Sequence, residues 1–146
     1  FVPIAFVSVP VTLVAGWLVD VISPLVLAAV MSVAQLVMYV TVAHIDVPAL
    51  AVVAIVAWGV SQGCFGPLTA AAIPRFFGRR YLGAIAGVQM SALVIASAIG
   101  PALFATIESI AGTYEVALWV AATVPATGVA LAVLSARRPA ASVSAD

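Results

Sequence analysis

Few residues in this chain could do chemistry. There is one histidine (His44), one cysteine (Cys64), five acids, five arginines and no lysine. Nucleophilic catalysis needs a base beside the nucleophile, and a metal centre needs clustered His, Cys, Asp or Glu. Cys64 stands in an apolar run with no histidine or second cysteine near it. The acids Asp20, Asp46, Glu108, Glu115 and Asp146 are scattered through connecting segments and the tail. No triad, carboxylate pair or metal set emerges, so the chain is expected to be no enzyme and to carry no cofactor and no metal. What remains are neutral polar side chains inside apolar stretches: Ser61, Gln62 and Thr69 in one, Gln89, Ser91 and Ser97 in the next. Hydroxyls and amides both donate and accept hydrogen bonds. Their chemistry is recognition.

The elements that hold these side chains follow from composition. Of 146 residues, 66% are hydrophobic and 7% charged, and the mean hydropathy is +1.32. A soluble domain has roughly a quarter of its residues charged, so this chain cannot cover a water-facing surface, and disorder is excluded because disordered chains are polar. A net charge of zero argues against nucleic acid as a partner, because phosphate binding needs a basic patch. The expected partner is the lipid bilayer. A helix needs about 20 apolar residues to cross a hydrocarbon core of about 30 Å. Five segments qualify, at about 3–19, 24–43, 48–70, 82–107 and 115–135. Lipid-facing barrel strands alternate apolar and polar residues, and these runs do not. The fold class is therefore all-α and polytopic, a transmembrane bundle over 1–136 followed by a tail over 137–146. Hydrophobicity begins at Phe1 with no charged leader before it, so a secretory signal is not expected. The reading is of a piece of a longer protein.

Local signals agree with these boundaries. Ser23-Pro24 reads as an N-cap followed by proline at the first helical position, and Asp46-Val47-Pro48 repeats that logic. Thr113 is placed to cap the fifth span, with Glu115 in its first turn favoured by the helix dipole. Gly59-x-x-x-Gly63 and Gly83-x-x-x-Gly87 each put two small residues on one helix face, which predicts close helix packing. All arginines (Arg75, Arg79, Arg80, Arg137 and Arg138) fall in one connection and in the tail, which five spans place on one side. The positive-inside rule makes that side, and the C-terminus, cytoplasmic.

The segment Gly16-Trp17-Leu18-Val19-Asp20, followed by Ser23-Pro24, resembles the Gly-x-Leu-x-Asp loop of the major facilitator superfamily. The run from Pro74 through Arg75, Phe76, Phe77, Gly78, Arg79, Arg80, Tyr81, Leu82 and Gly83 to Gly87 is similar to the loop between spans ten and eleven in the bacterial branch near monocarboxylate and oxalate/formate transporters. Ala98-Ile99-Gly100-Pro101 and Gly112-Thr113-Tyr114 fit the same branch. The resemblance covers the whole chain. It implies spans 8 to 12 of a transporter's C-terminal half, in a bacterial inner membrane, with the missing N-terminal half as a partner. The implied function is secondary transport of a small solute by alternating access. The spans in which anion-transporting members hold an Arg or Lys carry none here, which argues against a carboxylate substrate.

In that fold the first, third and fourth spans of this chain line the cavity. The expected substrate-binding residues are Gln62, Gln89, Ser61 and Thr69, whereas Gln35 and Ser32 are expected to bond to neighbouring helices. Gly16, Asp20, Arg75, Arg79 and Arg80 are the expected gating loops. Gly100 and Pro101 are an expected helix kink, since proline removes one backbone hydrogen bond. A rival reading is a non-transporting membrane fragment or scaffold from a truncated reading frame.

Overall fold

The computed structural model describes residues 2–44, 47–78 and 80–136. The expectations at Asp46, Arg79, Arg137 and Arg138, and the tail over 137–146, lie outside the described residues. Five helices follow one another: α1 (Val2–Val21), α2 (Pro24–Ala43), α3 (Pro48–Phe77), α4 (Leu82–Ala111) and α5 (Tyr114–Ala136). Among the described residues there is no strand. All five helices are long and apolar enough to cross a membrane.

All the helices but α2 outrun their apolar spans because a backbone ladder does not stop where hydrocarbon does. α3 and α4 have 30 residues each, about 45 Å at 1.5 Å per residue, against a core of about 30 Å. Both stop at a glycine with positive φ. Gly78 (φ 69°) and Gly112 (φ 73°) close α3 and α4, donating their N–H groups to the Pro74 and Glu108 carbonyls, a termination that glycine adopts without Cβ strain. At the helix starts, Ser23 and Val47 occupy the N-cap positions with proline next, but neither side chain makes a cap bond. Proline, which needs no N–H partner there, sets these starts by itself.

The segment expected as a loop at Gly16–Asp20 is helical: α1 continues to Val21, and the turn to α2 is only Ile22 and Ser23. No glycine or proline intervenes between Gly16 and Pro24 to stop the helix.

α3 is the centre, packed on one side against α1 and on another against α2; α2 packs in turn against α5. A small core lies where the first three helices meet, formed by Ala15, Val19, Leu27 and Cys64 with Val11, Met31, Val60 and Leu68 around it. Gly59 and Gly63 make the α1–α3 approach close. A Cβ on Gly63 would stand 2.7 Å from Val11 Cβ and 2.8 Å from the Ser8 carbonyl. The second small-residue pair behaves differently. Gly83 and Gly87 have nothing within 4 Å of an added Cβ. Their helix, α4, leans lightly on α5 and α3 and has no buried residue along its length.

Candidate functional site

The polar residues of α3 lie on a different face from Gly59 and Gly63. Trp58, Ser61, Gln62, Phe65, Thr69 and Phe76 recur at helical spacing and form one stripe. α2 offers a matching stripe through Leu25, Ala28, Gln35, Tyr39 and Val42. Two cavities lie along the crevice between these stripes. One has a volume of about 340 Å³ and lies at the end nearer His44. It is lined by Gln35, Tyr39, Trp58, Ser61 and Gln62, with Leu118 of α5 over it. The other, of about 400 Å³, lies at the end nearer Arg75. Its lining includes Pro24, Leu68, Thr69 and Phe76, with Ile85 and Gln89 of α4 closing it.

The four expected substrate residues are therefore divided, and both cavities lie between α2 and α3, with α1 lining neither, rather than on the α1, α3 and α4 faces that the resemblance implies. Ser61 and Gln62 share the first cavity; Thr69 and Gln89 share the second. Gln35, expected to bond to a neighbouring helix, instead lines the first cavity, and no side-chain hydrogen bond from it is found among the described residues. Tyr39, one turn further on, lines it too, and sequence reasoning missed it. The signal was present, since Gln35 and Tyr39 stand four residues apart on one helical face. Recognising it required knowing that this face meets Gln62. Ser32 sits at the α2–α5 crossing, where a Cβ on Gly128 would come within 2.6 Å of its hydroxyl.

Hydrogen bonding separates the available groups from the occupied ones. The Thr69 hydroxyl donates to its own helix at the Phe65 and Gly66 carbonyls (3.0 and 2.9 Å), Ser91 to Gly87 (2.9 Å) and Ser97 to Val94 (2.8 Å). Such back-bonding uses the donor and leaves only lone pairs. Among the described residues, no side-chain bond is formed by Gln62, Gln89 or Ser61, although Ser61 is only 4% exposed. These groups, with Gln35 and Tyr39, are the donors and acceptors left for something else. No charged side chain lines either cavity.

Two of the expected gating residues, Gly16 and Asp20, lie together at the other edge of α3. Gly16 and Asp20 line a shallow recess with Thr12, Pro67 and Ala71, and an added Cβ on Gly16 meets nothing within 4 Å. Asp20 is exposed, and Arg75 is exposed in the last turn of α3, one turn beyond Ala71. Among the described residues, no ion pair joins them. Arg80 stacks over the Tyr81 ring at 5.5 Å, a cation–π geometry. Gly100 and Pro101 lie within α4, which runs unbroken through them; Pro101 lacks the N–H that the Ser97 carbonyl accepts in a regular helix. At the far end, His44 meets Trp119 edge-on at 6.1 Å and its Nδ1 lies 3.0 Å from the Val40 carbonyl, so it ties α2 to α5. Among the described residues there is no group of three metal-ligating side chains.

No protein-family model, curated protein or solved structure matches the chain.

Proposed function

We propose that the chain is the larger part of one helical half of a secondary transporter of the major facilitator type, moving a small uncharged solute by alternating access. One observation carries this reading: Gln62 and Gln89, inside apolar helices and without a side-chain hydrogen bond among the described residues, line the cavities of a crevice between helices. An unsatisfied amide in hydrocarbon costs several kcal/mol, and polar groups are retained in membrane proteins where they face partners or a water-filled path. Gln62 and Gln89 stand at the two cavities of the α2–α3 crevice, so a solute passing along it exchanges hydrogen bonds from one amide to the other.

The lightly held α4 supports the same reading. A wall with little contact to its neighbours shifts at low cost, and α4 closes the cavity at the arginine end. In this reading the arginine end faces the cytoplasm, the N-terminal half of the transporter supplies the opposite wall, and Gly16, Asp20, Arg75, Arg79 and Arg80 act at cytoplasmic closure.

The test is uptake by the intact protein in proteoliposomes, screened over uncharged solutes. Saturable uptake that falls in both Gln62→Leu and Gln89→Leu is the expected result. Correctly inserted protein that moves no solute refutes the proposal and favours the scaffold reading. Uptake unchanged in both variants refutes the role of the amides.

A further inference from the structure

We propose that the cavity between α2, α3 and α5 is a binding site for an uncharged, single-ring molecule bearing several hydroxyl or amide groups, with Gln35 and Tyr39 as recognition residues alongside Gln62 and Ser61. The inference takes this cavity as part of the solute crevice proposed above, yet its test reads binding rather than movement.

Two amides, a phenol and a hydroxyl converge on the cavity from two helices. No side-chain hydrogen bond of theirs is found among the described residues, and Ser61 is nearly fully buried. Gln62 is exposed and Gln35 and Tyr39 are half-buried, so their polar groups stand open to the cavity and free to bond to a molecule inside it. Each glutamine has two donors and an accepting oxygen, and each hydroxyl gives and takes one bond or more. A partner that answers them must both donate and accept in several directions, which hydroxyls and amides do.

Charge is settled by the lining. No Arg, Asp, Glu or His faces the cavity, so an ion entering it would lose its hydration and gain no counter-charge, a large penalty in an apolar medium. Size follows from volume. About 340 Å³ is at the small end of ligand pockets, enough for one ring with its substituents. Trp58 and Tyr39 supply aromatic surface, and Leu118 closes the top. Aromatic faces suit the flat or apolar side of a ring, while the amides engage its edge.

The reporter is already in place. With Trp17→Phe and Trp119→Phe, both at exposed positions, Trp58 is the one tryptophan left in this chain, and any tryptophan outside it is replaced by phenylalanine in the same way. The intact protein in nanodiscs is titrated with glucose, uracil and nicotinamide, each paired with its charged counterpart, glucuronate, orotate and nicotinate. The expected result is a saturable change in Trp58 fluorescence with at least one uncharged probe, and affinity at least tenfold lower for its charged counterpart. Gln35→Leu is expected to weaken that binding at least tenfold and Tyr39→Phe by a smaller factor. If Gln35→Leu does not fold, Tyr39→Phe carries the test. The inference is overturned if no uncharged probe gives a saturable change. It is equally overturned if charged counterparts bind as tightly, or if the folded variants bind like the parent. Binding without uptake removes the transport reading and leaves this one; uptake without a saturable signal at Trp58 does the reverse.

Discussion

Replacing Gly63 with alanine tests the packing at the centre of this fold. An alanine Cβ there stands 2.7 Å from Val11 Cβ and 2.8 Å from the Ser8 carbonyl oxygen, where ordinary contacts lie at 3.4–4 Å. The Ser8 contact is with backbone and cannot be relieved by a rotamer change, so α1 must retreat from α3 by about 0.7 Å. Overpacking of this kind costs about 1–3 kcal/mol. Alanine recovers about 1 kcal/mol of helix propensity over glycine, so the expected net loss is up to about 2 kcal/mol. Gly66, one turn along the same helix, has open space around its added Cβ. Gly66→Ala therefore keeps the propensity gain without the clash and is expected to stabilise by up to about 1 kcal/mol. The two variants move in opposite directions from the same chemical change. Unfolding of the purified protein in mixed micelles by increasing SDS, followed by far-UV circular dichroism, reads both. A Gly63→Ala midpoint at or above wild type, or a Gly66→Ala loss as large as that of Gly63→Ala, refutes the α1–α3 contact.

Gly128→Ala is expected to cost little in the same assay, because the nearest atom is the Ser32 hydroxyl at 2.6 Å, which can rotate away, and Ser32 Cβ at 3.3 Å needs to give by only a small shift; a loss above about 2 kcal/mol, typical of rigid overpacking, contradicts this. Cys64, 2% exposed in the core, should react with N-ethylmaleimide slowly in the folded protein and completely in SDS, and fast native labelling would place it outside that core. On a Cys64→Ser background, cysteine at position 115 should label from outside intact cells and cysteine at position 80 only after permeabilisation, with the reverse pattern overturning the orientation. Gly16→Leu and Asp20→Ala should lower uptake at equal surface abundance while leaving insertion intact, and wild-type rates in both would remove their part in cytoplasmic closure.

The helices were legible in the sequence because crossing hydrocarbon demands length and apolarity, and both are one-dimensional quantities. α2 begins and ends where its apolar run does, at Pro24 and Ala43. Helix ends were legible only where a residue imposes one: Pro24 and Pro48 set starts, whereas the run from Gly16 to Asp20, lacking any stop, stays helical to Val21. Which faces meet was not legible. Gly59-x-x-x-Gly63 and Gly83-x-x-x-Gly87 are the same pattern, yet the first is pressed against Val7 and Val11 while the second touches nothing. A small-residue face permits close approach but does not name a partner. The amides show the same gap. Gln62 and Gln89 look equivalent in sequence, and the register of α2 against α3 puts Gln62 with Gln35 and Tyr39, and Gln89 with Thr69.

That register gives α3 two faces with opposed physical demands. Toward α1 it carries Gly59 and Gly63, with no side-chain bulk at the crossing, so the backbones approach until a single methyl group would clash. Dispersion grows steeply as such a gap closes, and this face has two rigid neighbours in Val7 and Val11. Toward the crevice it carries Trp58, Gln62, Phe65, Thr69 and Phe76, large or polar side chains that hold α4 and α5 away and leave two cavities. Phe65 lies on that stripe between the two, at the level where Gln62 gives way to Thr69. A transporter needs a wall that does not move and a path beside it that opens at alternate ends. In the proposed reading the glycine face of α3 is the first and the polar face the second, so substitutions on the two faces should separate: Gly63→Ala in stability, Gln62→Leu in solute handling.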